Sequence, residues 1–161
     1  MKTKRITKIA LLASGLFCTP LMAETDQAEK HFARCVACHL AEGQGIPGAF
    51  PPLKNRLAKM SNSELGRQYV VQVLYGGLMG MITVEGQNYS GVMPAQTGDL
   101  SAKEVSELLN YAVNKVDKNG KPENWKPFSE KEVERLSKTK GNPVSNGNLR
   151  KQLLENQRDL K

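Results

Sequence analysis

The feature that most constrains this chain is the segment Cys35-Val36-Ala37-Cys38-His39. Two cysteines three positions apart lie about one helical turn apart, so both thiols can bond to one edge of a single planar group. The histidine directly after them is then held beneath that group, where a ring nitrogen can bind a metal. This C-x-x-C-H pattern is typical of covalent attachment of one c-type haem, with Cys35 and Cys38 as thioethers and His39 as an iron ligand.

Residues 1–23 have the order of regions found in a secretory signal peptide. A basic start without acidic residues precedes the apolar run 9–17, and Ala23 places a small residue before Glu24. The apolar run is about half of the roughly 20 residues that a membrane span needs. We therefore expect cleavage after Ala23 and export to a bacterial periplasm, with no segment that spans the membrane.

Other uses of the cysteine pair remain open from the residues alone. A redox dithiol would need alternating strands and helices, and the chain shows almost no strand pattern. A zinc site would need a fourth ligand, and His31 is the only other histidine. An exported protein is not expected to keep an unused thiol pair, because its compartment is oxidising. Haem attachment is the preferred interpretation.

The net charge of the whole chain is the sum of three segments that differ in charge. A net charge of +7 first suggests an anionic partner such as nucleic acid. Residues 1–23 carry +4, residues 24–116 carry −1 and residues 117–161 carry +4. The segment with the cysteine motif is thus not basic, and nucleic acid is not an expected partner. We predict a cleaved signal peptide over 1–23, a cofactor-binding domain over 24–116 and a basic C-terminal extension over 117–161.

Hydrophobic periodicity predicts an all-α domain. A first helix, capped at Thr25 or Asp26, is expected to carry the cysteine motif. Residues 40–60 are rich in Gly and Pro and are expected to form a loop. Glu85-Gly86 predicts the turn of one small hairpin, with strands over 82–84 and 87–89.

Capping boxes predict three further helices, which begin after Ser61, Ser101 and Ser129. The last of these lies in the extension, where leucines at helical spacing indicate one more short helix. Trp125 and Phe128 are expected to anchor the extension on the domain.

A second iron ligand is expected from a methionine. Outside the signal peptide the chain has Met60, Met79, Met81 and Met93. Met93 ends a glycine-containing stretch expected to form a loop, and Pro94 stiffens the backbone after it. We therefore favour Met93, and we interpret the other three as side chains that fill gaps in the core.

Three motifs in order are CVACH, GQGIPGAFPPL over Gly43–Leu53, and YVVQVLYGGLMGMITVEGQNYSGVMP over Tyr69–Pro94. Together they resemble monohaem class I c-type cytochromes of bacteria, over roughly residues 26–116. The resemblance implies the class I cytochrome c fold around one covalently bound haem c. The helices of 117–161 would extend beyond that fold.

The resemblance also implies roles for individual residues. In the family a proline carbonyl holds the iron-bound histidine, and Pro51 matches that proline although Phe50 stands where glycine is expected. Leu53 would pack on the haem, and Met93 would be the second axial ligand. Candidates for contacts with the haem propionates are Arg34, Arg56 and Arg67.

The function implied is that of a periplasmic one-electron carrier, not an enzyme, which cycles Fe(III)/Fe(II) between redox partner proteins. The expected partners are a dehydrogenase, a quinol-oxidising complex, or a terminal oxidase or reductase. Two alternatives stay open: a cytochrome subunit of a periplasmic oxidoreductase complex, and a haem enzyme or gas sensor whose sixth iron ligand is labile.

Overall fold

The described part of the chain is mainly helical, with one two-stranded antiparallel sheet. A computed structural model describes residues 21–139, 141–157 and 160. Its elements are α1 (Leu21–His39), α2 (Leu57–Met60), α3 (Glu64–Gly76), β1 (Leu78–Val84), β2 (Gln87–Met93), α4 (Ala102–Val116), α5 (Glu130–Ser137) and α6 (Pro143–Asn156). This confirms the predicted helical class and its small hairpin. Most of the predicted signal peptide, residues 1–20, lies outside the described residues.

Helices α1 and α4 pack across each other and form one side of the core. The rings of Phe32 on α1 and Tyr111 on α4 are in contact, with centroids 5.6 Å apart. The apolar stripe of α4 is buried, as its periodicity predicts. The capping box that begins α4 is also confirmed, since Ser101 and Glu104 each accept a hydrogen bond from the backbone N–H of the other.

Two helix starts differ from the sequence prediction. Helix α1 is already present at Leu21, so Thr25 and Asp26 lie inside it and do not cap it. Helix α3 is capped by Ser63, which accepts from the backbone N–H of Gly66 at 3.1 Å, and not by Ser61. The reason is the extra turn α2, for which Ser61 is the C-terminal cap. The predicted loop over 40–60 therefore ends in a helical turn.

The hairpin is longer than predicted. Strands β1 and β2 pair from Leu78 with Met93 to Val84 with Gln87. Glu85 and Gly86 form the predicted turn, both with positive φ. Met93 is therefore the last residue of a strand and does not lie in the expected loop, because the pairing continues to the end of the glycine-containing stretch.

The segment after α4 folds back over the other helices. Helix α5 packs against α3 and α4, and α6 packs against α3 and β1. Trp125 and Phe128 are buried, as predicted, and the Trp125 Nε1–H donates to the Ser61 hydroxyl at 2.9 Å. On α6 the buried Asn146 amide donates to the carbonyls of Gln72 and Gly77. Within the described ranges no helix is long and apolar enough to cross a bilayer.

Candidate cofactor site

A cavity of about 250 Å³ lies between the end of α1, the 49–57 segment, α3, the hairpin, α4 and α6. Its walls are mostly aliphatic and aromatic side chains, with a small number of polar groups. The residues predicted to attach the haem, bind its iron or pack beside it all line this one cavity: Cys35, Cys38, His39, Pro51, Leu53 and Met93. An apolar pocket with few convergent polar groups is the usual form of a cofactor site.

Cys35 and Cys38 stand one turn apart at the end of α1, and they form no disulfide. The pKa of the Cys35 thiol is raised to about 11. Burial is the main cause and nearby Cys38 adds to it, while the charge of Arg34 partly opposes both. A redox-active dithiol needs a thiol whose pKa is lowered, so that the thiolate is present at neutral pH. The environment of Cys35 has the opposite effect, which disfavours the redox dithiol interpretation.

His39 is the last residue of α1 and is buried. Its Nδ1 lies 2.8 Å from the carbonyl oxygen of Pro51. A carbonyl can only accept, so the proton of the neutral ring is on Nδ1 and the lone pair of Nε2 can bind a metal. Burial lowers the pKa of His39, and the bond to Pro51 partly offsets this. The neutral ring that a metal requires is therefore favoured.

A tight loop brings the Pro51 carbonyl to His39. Gly45 has φ of +67°, and its N–H donates to the carbonyl of His39 at 2.9 Å. A side chain at this position would overlap the backbone of Phe50 and Pro51. Farther along, the N–H of Leu53 donates to the Gly43 carbonyl at 2.7 Å, which holds Leu53 in the cavity wall.

Met93 lines the cavity from the end of β2. Its strand partner is Leu78, and the approach of its carbonyl to Gly77 leaves no room for a Cβ there. The Met60 side chain lines the same cavity, whereas Met79 and Met81 lie exposed on the hairpin. The expectation that these last two fill the core is wrong, because both are on strand positions that face away from the helices.

Three arginines line the cavity, and they are not the three expected. Arg34 and Arg56 are present, but Arg67 is turned towards the segment 126–132, where it contacts Glu132 and the Phe128 ring. The third is Arg150, on α6. Sequence reasoning missed it; the only signal was a cation that stands next to Leu149 and three residues before Leu153.

The residues present fit a c-type haem. Two thiols, a neutral imidazole and a thioether converge on one mainly apolar space, with cationic side chains in its wall. In the part of the chain that the structure describes, no group of three or more His, Cys, Asp or Glu side chains could hold a metal ion directly. The zinc interpretation therefore gains no support.

Comparisons with known proteins agree with a haem c site. Residues 26–115 match the family described as "Cytochrome c". The chain is 39% identical over 140 residues to a protein called cytochrome c-552 from one strain of Thermus thermophilus, covering 87% of this chain and 90% of that protein. It is 40% identical over 114 residues to another cytochrome c-552 from Thermus thermophilus, covering 71% and 86%. A match of 140 residues cannot fit within 1–116, so it includes part of 117–161.

Proposed function

The chain belongs to the cytochrome c family, and we propose that it is a one-electron carrier whose haem iron is bound by His39 and Met93. Proteins of this family carry covalently attached haem c, and the motif that attaches it here is Cys35–His39. The helices and small hairpin form the class I cytochrome c fold. Electron transfer with redox partner proteins follows from the family; the ligands, the compartment and the partners are our proposal.

The observation that carries the proposal is the bond between His39 Nδ1 and the Pro51 carbonyl, at 2.8 Å. It selects the tautomer in which Nε2 can bind iron, and it makes the imidazole a stronger donor. Gly45 holds the carbonyl in this position through the loop described above. Met93 lines the same cavity, and its backbone is fixed by strand pairing.

This arrangement supports electron transfer rather than chemistry on a bound substrate. Haem c supplies the one-electron Fe(III)/Fe(II) couple. Two protein ligands leave no position for oxygen or peroxide, and methionine sulfur favours the ferrous state. The apolar walls around His39 exclude water, which also raises the potential. A ligand set held on α1 and β2 needs little rearrangement when the charge of the iron changes.

The proposed compartment is the periplasm, reached through the signal peptide over 1–23 with cleavage after Ala23. The proposed partners are a dehydrogenase, a quinol-oxidising complex, or a terminal oxidase or reductase. Interfaces between carriers and such partners are small and short-lived. Mass spectrometry of the protein from a periplasmic extract tests the compartment: an N-terminus at Glu24 and the added mass of one haem are expected. A precursor of full length in the cytoplasmic fraction would contradict it.

Redox titration tests the carrier function. We expect one reversible step that fits one electron, and no change in the spectrum of the reduced protein when CO is added. Rapid binding of CO or cyanide to the wild-type protein would mean that the sixth position is open. The haem enzyme or gas sensor would then replace the carrier. Release of free haem on denaturation would instead show that Cys35 and Cys38 do not form thioethers.

A further inference from the structure

Arg150 is a buried cation in the cavity wall that has no anionic partner among the residues that the structure describes. Only 5% of the residue is exposed, and its Nη2 donates to the carbonyl of Thr83 at 2.8 Å. No carboxylate among residues 21–139, 141–157 and 160 lies within ion-pair distance of it. A buried guanidinium without a counter-charge is costly, because the protein interior replaces its hydration poorly.

A second buried arginine stands close by in the same wall. Arg56 is 6% exposed, and its guanidinium donates to the carbonyl of Leu160 and to Glu85 at 3.1 Å. The side chain of Glu85 is 62% exposed, so water weakens this pair. Burial lowers the pKa of Arg150; Tyr69 raises it in part, and the charge of Arg56 lowers it further. The two cations therefore add to each other's cost.

Tyr69 on α3 adds a neutral donor to this pair. It is buried and lines the cavity, and it lies close enough to Arg150 and Arg56 to interact with both charges. Burial raises the pKa of Tyr69 in spite of the nearby charges of Arg150 and Arg56, so the hydroxyl keeps its proton. Two cations and one hydroxyl donor thus line the same part of the cavity.

An anion that enters the cavity would satisfy all three groups. The haem that this family carries has two carboxylate side chains, the propionates, and its ring fills an apolar space. We propose that Arg150, Arg56 and Tyr69 bind a haem propionate, so that α6 of the extension is part of the cofactor site. This inference rests on the proposed function. It explains why a cation occupies a helix position flanked by leucines that pack on the core.

The site also has a consequence for the redox couple. A propionate paired with two guanidiniums stays ionised, and its negative charge is balanced close to the iron. Removing one cation makes the net charge beside the haem less positive by one unit, which favours Fe(III) and lowers the potential. Besides the two cysteines that attach the haem, the charged and titratable groups around the cavity are Arg34 and His39 on α1, Arg56, Tyr69 on α3, Glu85 at the hairpin turn, Tyr89 on β2 and Arg150 on α6.

The test is the reduction potential of the haem-loaded protein as a function of pH, measured for Arg150→Gln, Arg150→Lys and Lys151→Gln. Lys151 is the next residue on α6, and it is exposed, so Lys151→Gln removes the same charge outside the cavity. An opposite charge nearby lowers a carboxyl pKa by about 1–3 units. For Arg150→Gln we expect a lower reduction potential. In the plot of potential against pH, the bend that marks titration of the propionate should move to a pH about 1–3 units higher. Lys151→Gln should match wild type, and Arg150→Lys should lie nearer to wild type than Arg150→Gln.

The same dependence of reduction potential on pH for Arg150→Gln and Lys151→Gln would overturn the proposal. If Arg150→Gln does not fold, Tyr69→Phe is measured in its place, because this variant removes only the hydroxyl. A plot of potential against pH that bends at the same pH as wild type would then overturn the proposal. The far-red absorption band of methionine-ligated ferric haem separates this failure from failure of the proposed function. A wild-type protein without that band refutes His39/Met93 ligation, whatever Arg150 does.

Discussion

Arg67 on α3 joins the extension to the rest of the molecule through several contacts at once. Its Nε and Nη2 donate to the two carboxylate oxygens of Glu132, at 2.5 and 2.7 Å. Its remaining donors reach the carbonyls of Ser61, Lys126 and Pro127. The guanidinium also lies 3.9 Å from the centre of the Phe128 ring. Every N–H group of the Arg67 guanidinium thus donates a hydrogen bond.

Replacing Arg67 by alanine is therefore expected to be strongly destabilising. The two side chains of the ion pair are only 11% and 17% exposed, so truncation leaves the Glu132 carboxylate poorly solvated and without its partner. Breaking such a buried pair from one side costs about 3–5 kcal/mol. The double variant Arg67→Ala with Glu132→Ala should cost less than the two single variants added together, because no orphaned charge remains.

Equilibrium urea unfolding of the haem-loaded protein measures this cost. Fluorescence of Trp125, the only tryptophan, reports on the extension, and haem absorbance reports on the cofactor site. The matched control is Arg135→Ala, which removes the same group from an ion pair with Glu64 whose side chains are 57% and 65% exposed. That variant should lose at most about 1 kcal/mol. An Arg67→Ala protein no less stable than Arg135→Ala would refute the reasoning.

Three further changes have defined outcomes. Burial raises the pKa of Glu132 but the bonds and charge of Arg67 outweigh it, so the pKa lies below its ordinary 4.5. A pKa lowered by folding stabilises the protein above about pH 4.5, and this contribution is lost as the pH falls through the folded value. Urea unfolding should therefore separate wild type from Glu132→Gln at pH 7 and bring them together in acid; a constant difference would contradict this. Leu153→Ala leaves a cavity where a fully buried side chain was and should cost about 2–5 kcal/mol by the same assay, whereas Leu154→Ala, at a half-buried position, should cost clearly less. Gly45→Ala should displace the Pro51 carbonyl from His39 and shift the reduction potential. Gly147→Ala, outside the cavity and with only the Met79 carbonyl oxygen 4.0 Å from the added Cβ, should leave the potential unchanged.

Local patterns were sufficient for much of the fold. The cysteine motif, the apolar stripe of α4 and the capping box at Ser101 depend on neighbours within a few residues, and all three are interpretable without tertiary structure. The same holds for the turn at Glu85-Gly86. Errors arose where a tertiary partner competed with a local one. Ser61 has the sequence of a capping residue, but its hydroxyl is engaged by Trp125 and by the carbonyl of Leu57.

The arginines show the same limit in the cofactor site. Arg67 and Arg150 both lie on helices that also carry buried apolar residues, and nothing local in the sequence tells which one reaches the cavity. Contacts across more than 60 positions decide this: Arg67 meets Glu132, and Arg150 meets the carbonyl of Thr83. Met60 reaches the cavity in the same way, through the position of α2.

The far-red band of the ferric protein, recorded for wild type, Met93→Leu and Met60→Leu, tests the central claim most directly. Both methionines line the cavity, and the two variants remove a thioether by the same substitution. His39/Met93 ligation predicts that the band is present in wild type and in Met60→Leu. It predicts that Met93→Leu loses the band and binds CO when reduced. A band that persists in Met93→Leu, or that disappears in Met60→Leu, would contradict the assignment of Met93.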